Sequence, residues 1–191
     1  MYLNKAKFIT SMSKFDGSKI EGHKQIAVVG KSNVGKSSFI NCVTNNKKLC
    51  KVGQTPGKTR LINWFLVEDN MYLVDLPGYG YAKRSRQEIV DWGNMIEGYF
   101  SETENLEAIV LLIDIRHSPT KDDVSMFEWI NYYNIKPIIV CTKAEKIAKT
   151  KRKQRCKEIA KELDFDGTIL PIDSTTNYGR DEIVELIKSL I

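Results

Sequence analysis

The chain has 191 residues, of which 42% are hydrophobic and 28% are charged, a balance typical of one globular domain in water. Its 29 basic and 24 acidic side chains give a net charge of +5, which is suggestive of an anionic partner. The sequence has no apolar run long enough to cross a bilayer and no signal-peptide core at its start, so we expect a cytoplasmic protein that does not bind membranes.

Few residues are available for metal or triad chemistry. The four cysteines have no C-x-x-C spacing, and we expect reduced thiols in the core or in loops. With only two histidines, a His-based metal site or catalytic triad is not expected. These residues are Cys42, Cys50, Cys141, Cys156, His23 and His117.

Residues 1–24 contain an alternating basic and apolar run and then a polar, glycine-bearing stretch. This segment fits either an edge strand or a flexible arm. The apolar, β-branched run over 25–29 follows and predicts a buried strand.

The next eight residues read G-x-x-x-x-G-K-S, which predicts a phosphate-binding loop that opens a helix. A glycine turn before an ordinary helix is the structural alternative, but chance produces the motif in only on the order of 1% of chains this long. We expect Lys36 to reach the β- and γ-phosphates of a nucleotide and the Ser37 hydroxyl to bind Mg²⁺. The candidate nucleotide-binding residues here are Gly30, Lys31, Ser32, Asn33, Val34, Gly35, Lys36, Ser37 and Ser38.

Residues 45–60 are polar and basic and predict a mobile loop. Two β-like runs over 61–67 and 71–74 follow, joined by an acidic hairpin turn. The second run ends at Asp75, which opens a D-x-x-G motif. Its carboxylate can bind Mg²⁺ and Gly78 can donate an N–H to a γ-phosphate. D-x-x-G alone predicts only a turn, but one hairpin after a phosphate loop it is a candidate switch.

The second half of the chain alternates helices and strands. Apolar spacing predicts buried strands over 108–113, 137–141 and 168–172, and helices around 89–99, 120–133, 149–163 and 183–190. The pattern predicts a single α/β domain with a mostly parallel central sheet, one antiparallel strand and helices on both faces.

The T-K-x-E run over 142–145 follows a predicted strand, where GTPases carry [NT]-K-x-D. The carboxylate of Glu145 can accept two hydrogen bonds from the guanine edge, with Lys143 lying along the base. Because this acid is one methylene longer than Asp, we expect the guanine preference to be kept but weakened. A solvated loop acid is the alternative. The other candidates for the base are Thr142 and, through their backbone N–H groups, Asp173, Ser174 and Thr175.

The order of these motifs resembles the TRAFAC-class translation GTPases, and most closely the EngB-type (YihA/YsxC) bacterial ribosome-biogenesis GTP-binding proteins. The strings that carry the resemblance are GKSNVGKSSFIN (30–41), TPGKTRLINWF (55–65), VDLPGYGYAK (74–83) and TKAE (142–145). It implies one GTPase domain over 1–191 that binds GTP or GDP with Mg²⁺. It also implies a role in large ribosomal subunit assembly and, through it, in cell division and septation. Lys31, where Arg is usual, and Glu145 depart from the family pattern.

The resemblance also implies a switch threonine that meets Mg²⁺ in the GTP state. Thr59 is the first choice and Thr55 the alternative, and Gly57 lies between them. The implied metal ligands are Ser37, Thr59 and Asp75, and the implied catalytic residues are Lys36 and Thr59.

Slow hydrolysis is expected from the residue after D-x-x-G. Ras-like proteins place a water-orienting Gln there, whereas this chain has Tyr79, so we expect intrinsic turnover within or below ~10⁻⁴ to 10⁻² s⁻¹. Asn33 suggests a K⁺ ion at the phosphates, as in related GTPases, although a turn residue explains it equally well.

Nine basic residues against three acidic ones crowd residues 143–162. A solvated helix face is the alternative to a surface that follows rRNA phosphates on the large ribosomal subunit. We expect backbone-driven, salt-sensitive contact, no readout of DNA sequence and a monomer. The nine are Lys143, Lys146, Lys149, Lys151, Arg152, Lys153, Arg155, Lys157 and Lys161. Two other functions stay open: a P-loop kinase for a small molecule, and a module that binds nucleotide without hydrolysing it.

Overall fold

The computed structural model describes residues 3–16, 20, 22–50, 61–80 and 85–191. Within these ranges the chain forms one seven-stranded sheet flanked by α-helices. No helix among them is both long and apolar enough to span a membrane.

The strands are β1 Lys7–Met12, β2 Lys24–Gly30, β3 Ile62–Val67, β4 Met71–Asp75, β5 Leu106–Asp114, β6 Lys136–Thr142 and β7 Ile169–Pro171. The helices are α1 Lys36–Val43, α2 Arg86–Glu102, α3 Lys121–Tyr132, α4 Arg152–Glu162 and α5 Arg180–Lys188. Short 3₁₀ turns at Ala144–Lys146 and Lys149–Lys151 precede α4, so the basic helix begins later than its sequence pattern predicts.

The sheet order is β1-β3-β4-β2-β5-β6-β7, and β3 is antiparallel to both of its neighbours. Every other pairing is parallel. The prediction of a mostly parallel sheet with one antiparallel strand is therefore confirmed. Residues 7–12 form an edge strand that pairs with β3.

The central strands are buried on both faces, and alternate residues reach two different cores. On β5, Ile109, Leu111 and Ile113 pack with α2, α3 and α4, while Val110 and Leu112 pack with α1 and α5. Helices thus cover both faces, which leaves the carboxyl edge of the sheet as the place where a ligand can enter.

The hairpin between β3 and β4 turns at Glu68 and Asp69, whose φ angles are 52° and 59°. Two successive positive φ values are typical of tight hairpin loops, and here three loop residues separate the paired Val67 and Met71. This turn fixes the register that sets Asn63 opposite Asp75.

Gly179 supports a stability prediction. It precedes α5 with φ +76°, and a Cβ there would overlap the carbonyl oxygen of Pro171. We expect Gly179→Ala to lower the free energy of unfolding by more than ~2 kcal/mol, because the strained backbone and the overlap add together. Gly93→Ala, inside α2 where nothing lies within 4 Å, should instead raise it by ~0.5–1 kcal/mol. Urea denaturation of both variants checks the pair, and equal stabilities would contradict the structure.

Candidate functional site

The phosphate-loop motif lies between the end of β2 and the start of α1. A tight turn closes it, with the Val34 N–H donating to the Lys31 carbonyl over 3.0 Å. Gly35 adopts φ +112° directly before α1, and no side chain caps the helix there within the described chain. A Cβ on Gly30 would lie 2.9 Å from the Leu112 carbonyl oxygen. The glycines thus permit a backbone that leaves the first helical turn facing a ligand.

The D-x-x-G segment lies against this loop. The Ser32 N–H donates to the Tyr79 carbonyl oxygen over 2.9 Å, which ties the two segments together. A Cβ on Gly78 would lie 3.0 Å from Lys36 Nζ and 3.3 Å from Ser32 Oγ. Only a glycine lets this segment approach the ammonium group so closely.

Asp75 ends β4 next to the loop and is 5% exposed. Burial raises the pKa of its carboxyl group, and the Lys36 ammonium and the Asn63 side chain oppose that rise. Asp75 Oδ1 and Ser32 Oγ are both buried without a hydrogen-bond partner in the described chain. Buried oxygens in native proteins are normally paired, so these two fit a bound phosphate and a hydrated cation.

Two residues that the sequence analysis missed support Asp75. Asn63 lies opposite it in the β3–β4 register, and its side chain hydrogen-bonds the carboxyl group. Ser11, on edge strand β1, donates to Asn63 Oδ1 over 2.6 Å. Asn63 lies within the TPGKTRLINWF string, but nothing in that string gives it a role, and only the strand register brings the two residues to the site.

The T-K-x-E motif begins at the end of β6, beside the loop. The Thr142 hydroxyl donates to the Val34 carbonyl oxygen over 2.7 Å. Lys143 takes a left-handed conformation, with φ 60°, and its Nζ lies 3.0 Å from Asp114 Oδ2. Glu145 is exposed in the 3₁₀ turn that follows. Glu145 is thus open to a ligand, and Lys143 is held by Asp114.

Asp114, which the sequence analysis missed, ends β5 and holds Lys143 in place. Burial raises its pKa, but hydrogen bonds from Arg116 and Lys143 outweigh that effect and hold the pKa well below its usual range. The Arg116 pair is 2.7 Å long. Asp114 therefore stays ionised at neutral pH and fixes the Lys143 stem.

The segment after β7 is organised by Asp173. Its buried carboxylate accepts from the Thr175 and Thr176 N–H groups over 2.8 and 3.2 Å, and its own N–H donates to the Tyr178 carbonyl oxygen. Burial raises the Asp173 pKa, yet these bonds and the Thr176 hydroxyl leave it lowered. The expectation that Asp173 and Thr175 donate to a base is corrected, because both amides are used inside the loop. Ser174 is left as the candidate donor.

The Tyr79 side chain reaches the start of α3. Its hydroxyl donates to Asp123 Oδ1 over 2.7 Å, and its side chain is 4% exposed. Asp123 also accepts from the N–H and hydroxyl of Thr120, in the cap of α3. The phenol is therefore held by α3 and is not available to orient water at a phosphate.

The basic segment needs a correction at two positions. Arg152 is 4% exposed, with its guanidinium 4.6 Å from the Tyr178 ring centre. Arg155 pairs with Glu158 and Glu162. Arg152 is therefore not exposed to RNA, and Arg155 is held by two glutamates. Lys143 is half-buried beside Asp114. The basic residues of this run that are exposed are Lys146, Lys149, Lys151, Lys153, Lys157 and Lys161.

Some predicted site residues lie outside the described ranges. They are Thr55, Gly57 and Thr59, together with residues 51–60 of the predicted basic loop. Within the described ranges no group of three or more His, Cys, Asp or Glu side chains has the spacing of a metal site. A cation here would rest on one carboxylate and a hydroxyl rather than on a carboxylate cluster.

Comparison with known sequences gives a consistent result. A family model described as 50S ribosome-binding GTPase matches residues 25–143. The probable GTP-binding protein EngB of Clostridium acetobutylicum is 46% identical and spans 99% of this chain and 96% of its own length. The protein of the same name from Bacillus cytotoxicus is 45% identical over 95% and 93% of the two chains.

Solved structures agree on the fold. A crystal structure of a probable GTP-binding protein engB superposes with a TM-score of 0.74 at 22% identity, over 87% of this chain and 97% of that one. Era in complex with MgGDPNP and nucleotides 1506–1542 of 16S ribosomal RNA gives a TM-score of 0.68 at 25% identity, over 87% and 56%.

Proposed function

The chain belongs to the EngB family of GTP-binding proteins and is a GTPase by that membership, and we propose that it is a slowly hydrolysing, cytoplasmic GTP switch for assembly of the large ribosomal subunit. A supporting role in cell division and septation follows from that function. The observation that carries the proposal is the close approach of the D-x-x-G glycine to the phosphate-loop lysine, where a Cβ on Gly78 would lie 3.0 Å from Lys36 Nζ.

The phosphate chain of GTP lies along the loop amides in this proposal, with Lys36 at the β- and γ-phosphates. Ser37 and Asp75 would hold Mg²⁺, with Thr59 as a third ligand, and the unpaired Asp75 Oδ1 supports this assignment. Bound Mg²⁺ supplies positive charge to the phosphate oxygens. Gly78 is close enough to Lys36 for its segment to respond to the terminal phosphate.

Guanine recognition is assigned to Glu145, with Ser174 as a second contact. We expect Glu145→Ala to reduce the preference for GTP over ATP by more than about tenfold, because charge-assisted hydrogen bonds are worth ~1.5–3 kcal/mol each. Glu145→Asp, which keeps the charge on a shorter stem, is the matched control and should keep or sharpen the preference. Competition of GTP and ATP with a fluorescent GDP derivative measures it. Unchanged selectivity in Glu145→Ala would remove this residue from the base site.

Slow hydrolysis follows from the Tyr79 geometry. The phenol is committed to Asp123, so the water that attacks the γ-phosphate has no side chain in this position to orient it. The exposed Asn33, with φ 64°, is the candidate for K⁺ assistance. Equal GTPase rates in KCl and NaCl would remove the K⁺ hypothesis.

Ribosome binding is assigned to the exposed lysines around α4. Neutralising phosphates releases counterions, so affinity for rRNA should fall steeply as salt rises. The contact is to the nucleic-acid backbone, and we expect it to be made by a monomer.

Co-sedimentation with purified ribosomal subunits tests the proposal. We expect the chain to sediment with large subunits more strongly with a non-hydrolysable GTP analogue than with GDP, and less strongly at 300 than at about 50 mM salt, since counterion release sets the slope. Equal co-sedimentation with the GTP analogue and with GDP, or equal co-sedimentation at the two salt concentrations, would contradict the proposal.

The two alternative functions predict different results. A small-molecule kinase would bind ADP more tightly than GDP, and membership of a GTPase family argues against it. A module without turnover would release no phosphate in a single-turnover assay, with or without ribosomes.

A further inference from the structure

A groove of about 680 Å³ separates α2 from α3, on the face of the sheet opposite α1 and α5. It begins at Tyr79 and Gly80, and its walls carry Trp92 and Trp129, whose ring centres are 6.1 Å apart. Large apolar patches on a protein surface mark interaction sites.

The rim of the groove is more exposed than its floor. Tyr132 is 80% exposed and Ile89 is 55% exposed, whereas Met126 at the floor is 2% exposed. A partner can therefore bury apolar and aromatic surface here without any rearrangement of the core.

The two helices that border the groove are acidic, in contrast to the whole chain. Helices α2 and α3 together carry seven acidic and two basic side chains, although the chain has a net charge of +5. Asp122 and Glu128 line the groove, and among the described lining residues there is no lysine or arginine. The groove is thus an acidic, aromatic surface on a basic protein.

This chemistry excludes one class of partner and favours another. RNA phosphates would be repelled by Asp122 and Glu128, whereas the lysines of α4 would attract them. An arginine-rich peptide would pair with the carboxylates and stack its guanidinium groups on Trp92, Trp129 or Tyr132. A branched aliphatic side chain of the peptide would fill the apolar floor.

We propose that the α2–α3 groove binds a basic peptide segment of a partner protein, with arginines at the acidic rim and an aliphatic anchor against the tryptophans. Charge complementarity and the paired indole rings carry the proposal. The binding step does not depend on the proposed function of the nucleotide site.

A peptide in this groove would contact the switch segment. Tyr79 is part of the groove wall, and its carbonyl oxygen accepts from the Ser32 N–H in the phosphate loop. The indole N–H of Trp92 donates to the Pro77 carbonyl oxygen over 2.9 Å. A change in peptide affinity when nucleotide binds rests on the proposed function. Peptide binding without nucleotide is tested separately from it.

The test uses the full chain labelled with ¹⁵N at the indole of tryptophan, which gives three resonances from Trp64, Trp92 and Trp129. The probe is a peptide of about 14 residues that alternates arginine and leucine, titrated without nucleotide and with GDP. We expect saturable shifts of the Trp92 and Trp129 signals. The Trp64 signal should stay fixed, because that indole is buried and donates to Gln25 Oε1.

Charge reversal supplies the matched controls. Glu128→Lys should weaken peptide binding at least fivefold, whereas Glu185→Lys, the same change on the far face in α5, should leave it unchanged. A displaced Trp64 signal in Glu128→Lys would show that this variant is misfolded. In that case Asp122→Lys is used in its place.

Four results would overturn the proposal. The first two are shifts of the Trp92 and Trp129 signals with a glutamate–leucine peptide, or with a 14-nucleotide RNA, that equal those with the arginine–leucine peptide. The third is wild-type affinity for the arginine–leucine peptide in both groove variants. The fourth is the same shifts when the protein is concentrated without peptide. The last result would assign the groove to a second copy of this chain.

Discussion

Lys36→Ala should weaken GTP binding by about 10- to 150-fold, the equivalent of the ~1.5–3 kcal/mol that a charge-assisted hydrogen bond contributes. Lys36 is the first residue of α1, and its Nζ faces the D-x-x-G segment at Gly78. Hydrolysis should fall further than affinity, because charge develops on the phosphate oxygens in the transition state. Titration with a fluorescent GTP analogue and a single-turnover phosphate assay measure the two effects.

The control for this variant is Lys24→Ala. Lys24 begins β2 at the opposite edge of the sheet, and its 3.7 Å pair with Glu107 is exposed. Removing an exposed pair costs little stability, and GTP affinity should be unchanged. If Lys36→Ala bound GTP as well as Lys24→Ala, the phosphate site assigned here would be wrong.

Gly78→Ala should impair GTP hydrolysis while leaving GDP binding nearly unchanged. The new Cβ would lie 3.0 Å from Lys36 Nζ and 3.2 Å from the Gly30 carbonyl oxygen, so the ammonium and the loop backbone must each give by a few tenths of an ångström beside the expected γ-phosphate. We expect GDP affinity within about threefold of wild type, and GTP hydrolysis lower by at least tenfold, since a displaced group loses much of its catalytic effect. Calorimetry with each nucleotide and single-turnover assays check this.

Gly98→Ala is the matched control for Gly78→Ala. Its Cβ would meet only Glu102 Oε1, at 3.9 Å, on the surface of α2. It should leave affinity for both nucleotides and hydrolysis unchanged. If Gly78→Ala hydrolysed GTP at the wild-type rate, the switch segment would not depend on contact with Lys36.

The phosphate loop and the order of elements could be predicted from the sequence because their signals are local. Glycines at fixed spacing, a lysine and a serine define the loop within eight residues. The alternation of apolar runs and helical patterns defines the sheet, and the hairpin is marked by its acidic turn.

The support of the site could not be predicted, because it comes from residues far apart in the chain. Asn63 meets Asp75 only through strand register, and Asp123 meets Tyr79 across 44 positions. Tyr79 was interpreted only as a missing glutamine, while the structure gives it a partner in α3. No local pattern separates a phenol that faces the phosphates from one that faces a helix.

Charge counting overstates the exposed basic surface for a physical reason. The run of basic residues before and within α4 is visible in the sequence, but burial is decided by helix phase and by neighbours. Arg152 falls on the inner face of α4, over the Tyr178 ring, and Arg155 is held by two glutamates. The acidic side chains of α2 and α3 and the exposed lysines of α4 lie on different helices that cover the same face of the sheet, so the net charge of the chain conceals two clusters of opposite sign.

The central claim is that the D-x-x-G segment responds to the terminal phosphate and passes that response to α2. The indole N–H resonance of Trp92 tests it most directly, because that group donates to the Pro77 carbonyl oxygen, one residue before Gly78. We predict that the Trp92 signal moves when GDP is exchanged for a non-hydrolysable GTP analogue with Mg²⁺, while the Trp64 signal does not. A Trp92 signal at the same position in both nucleotides would contradict the account.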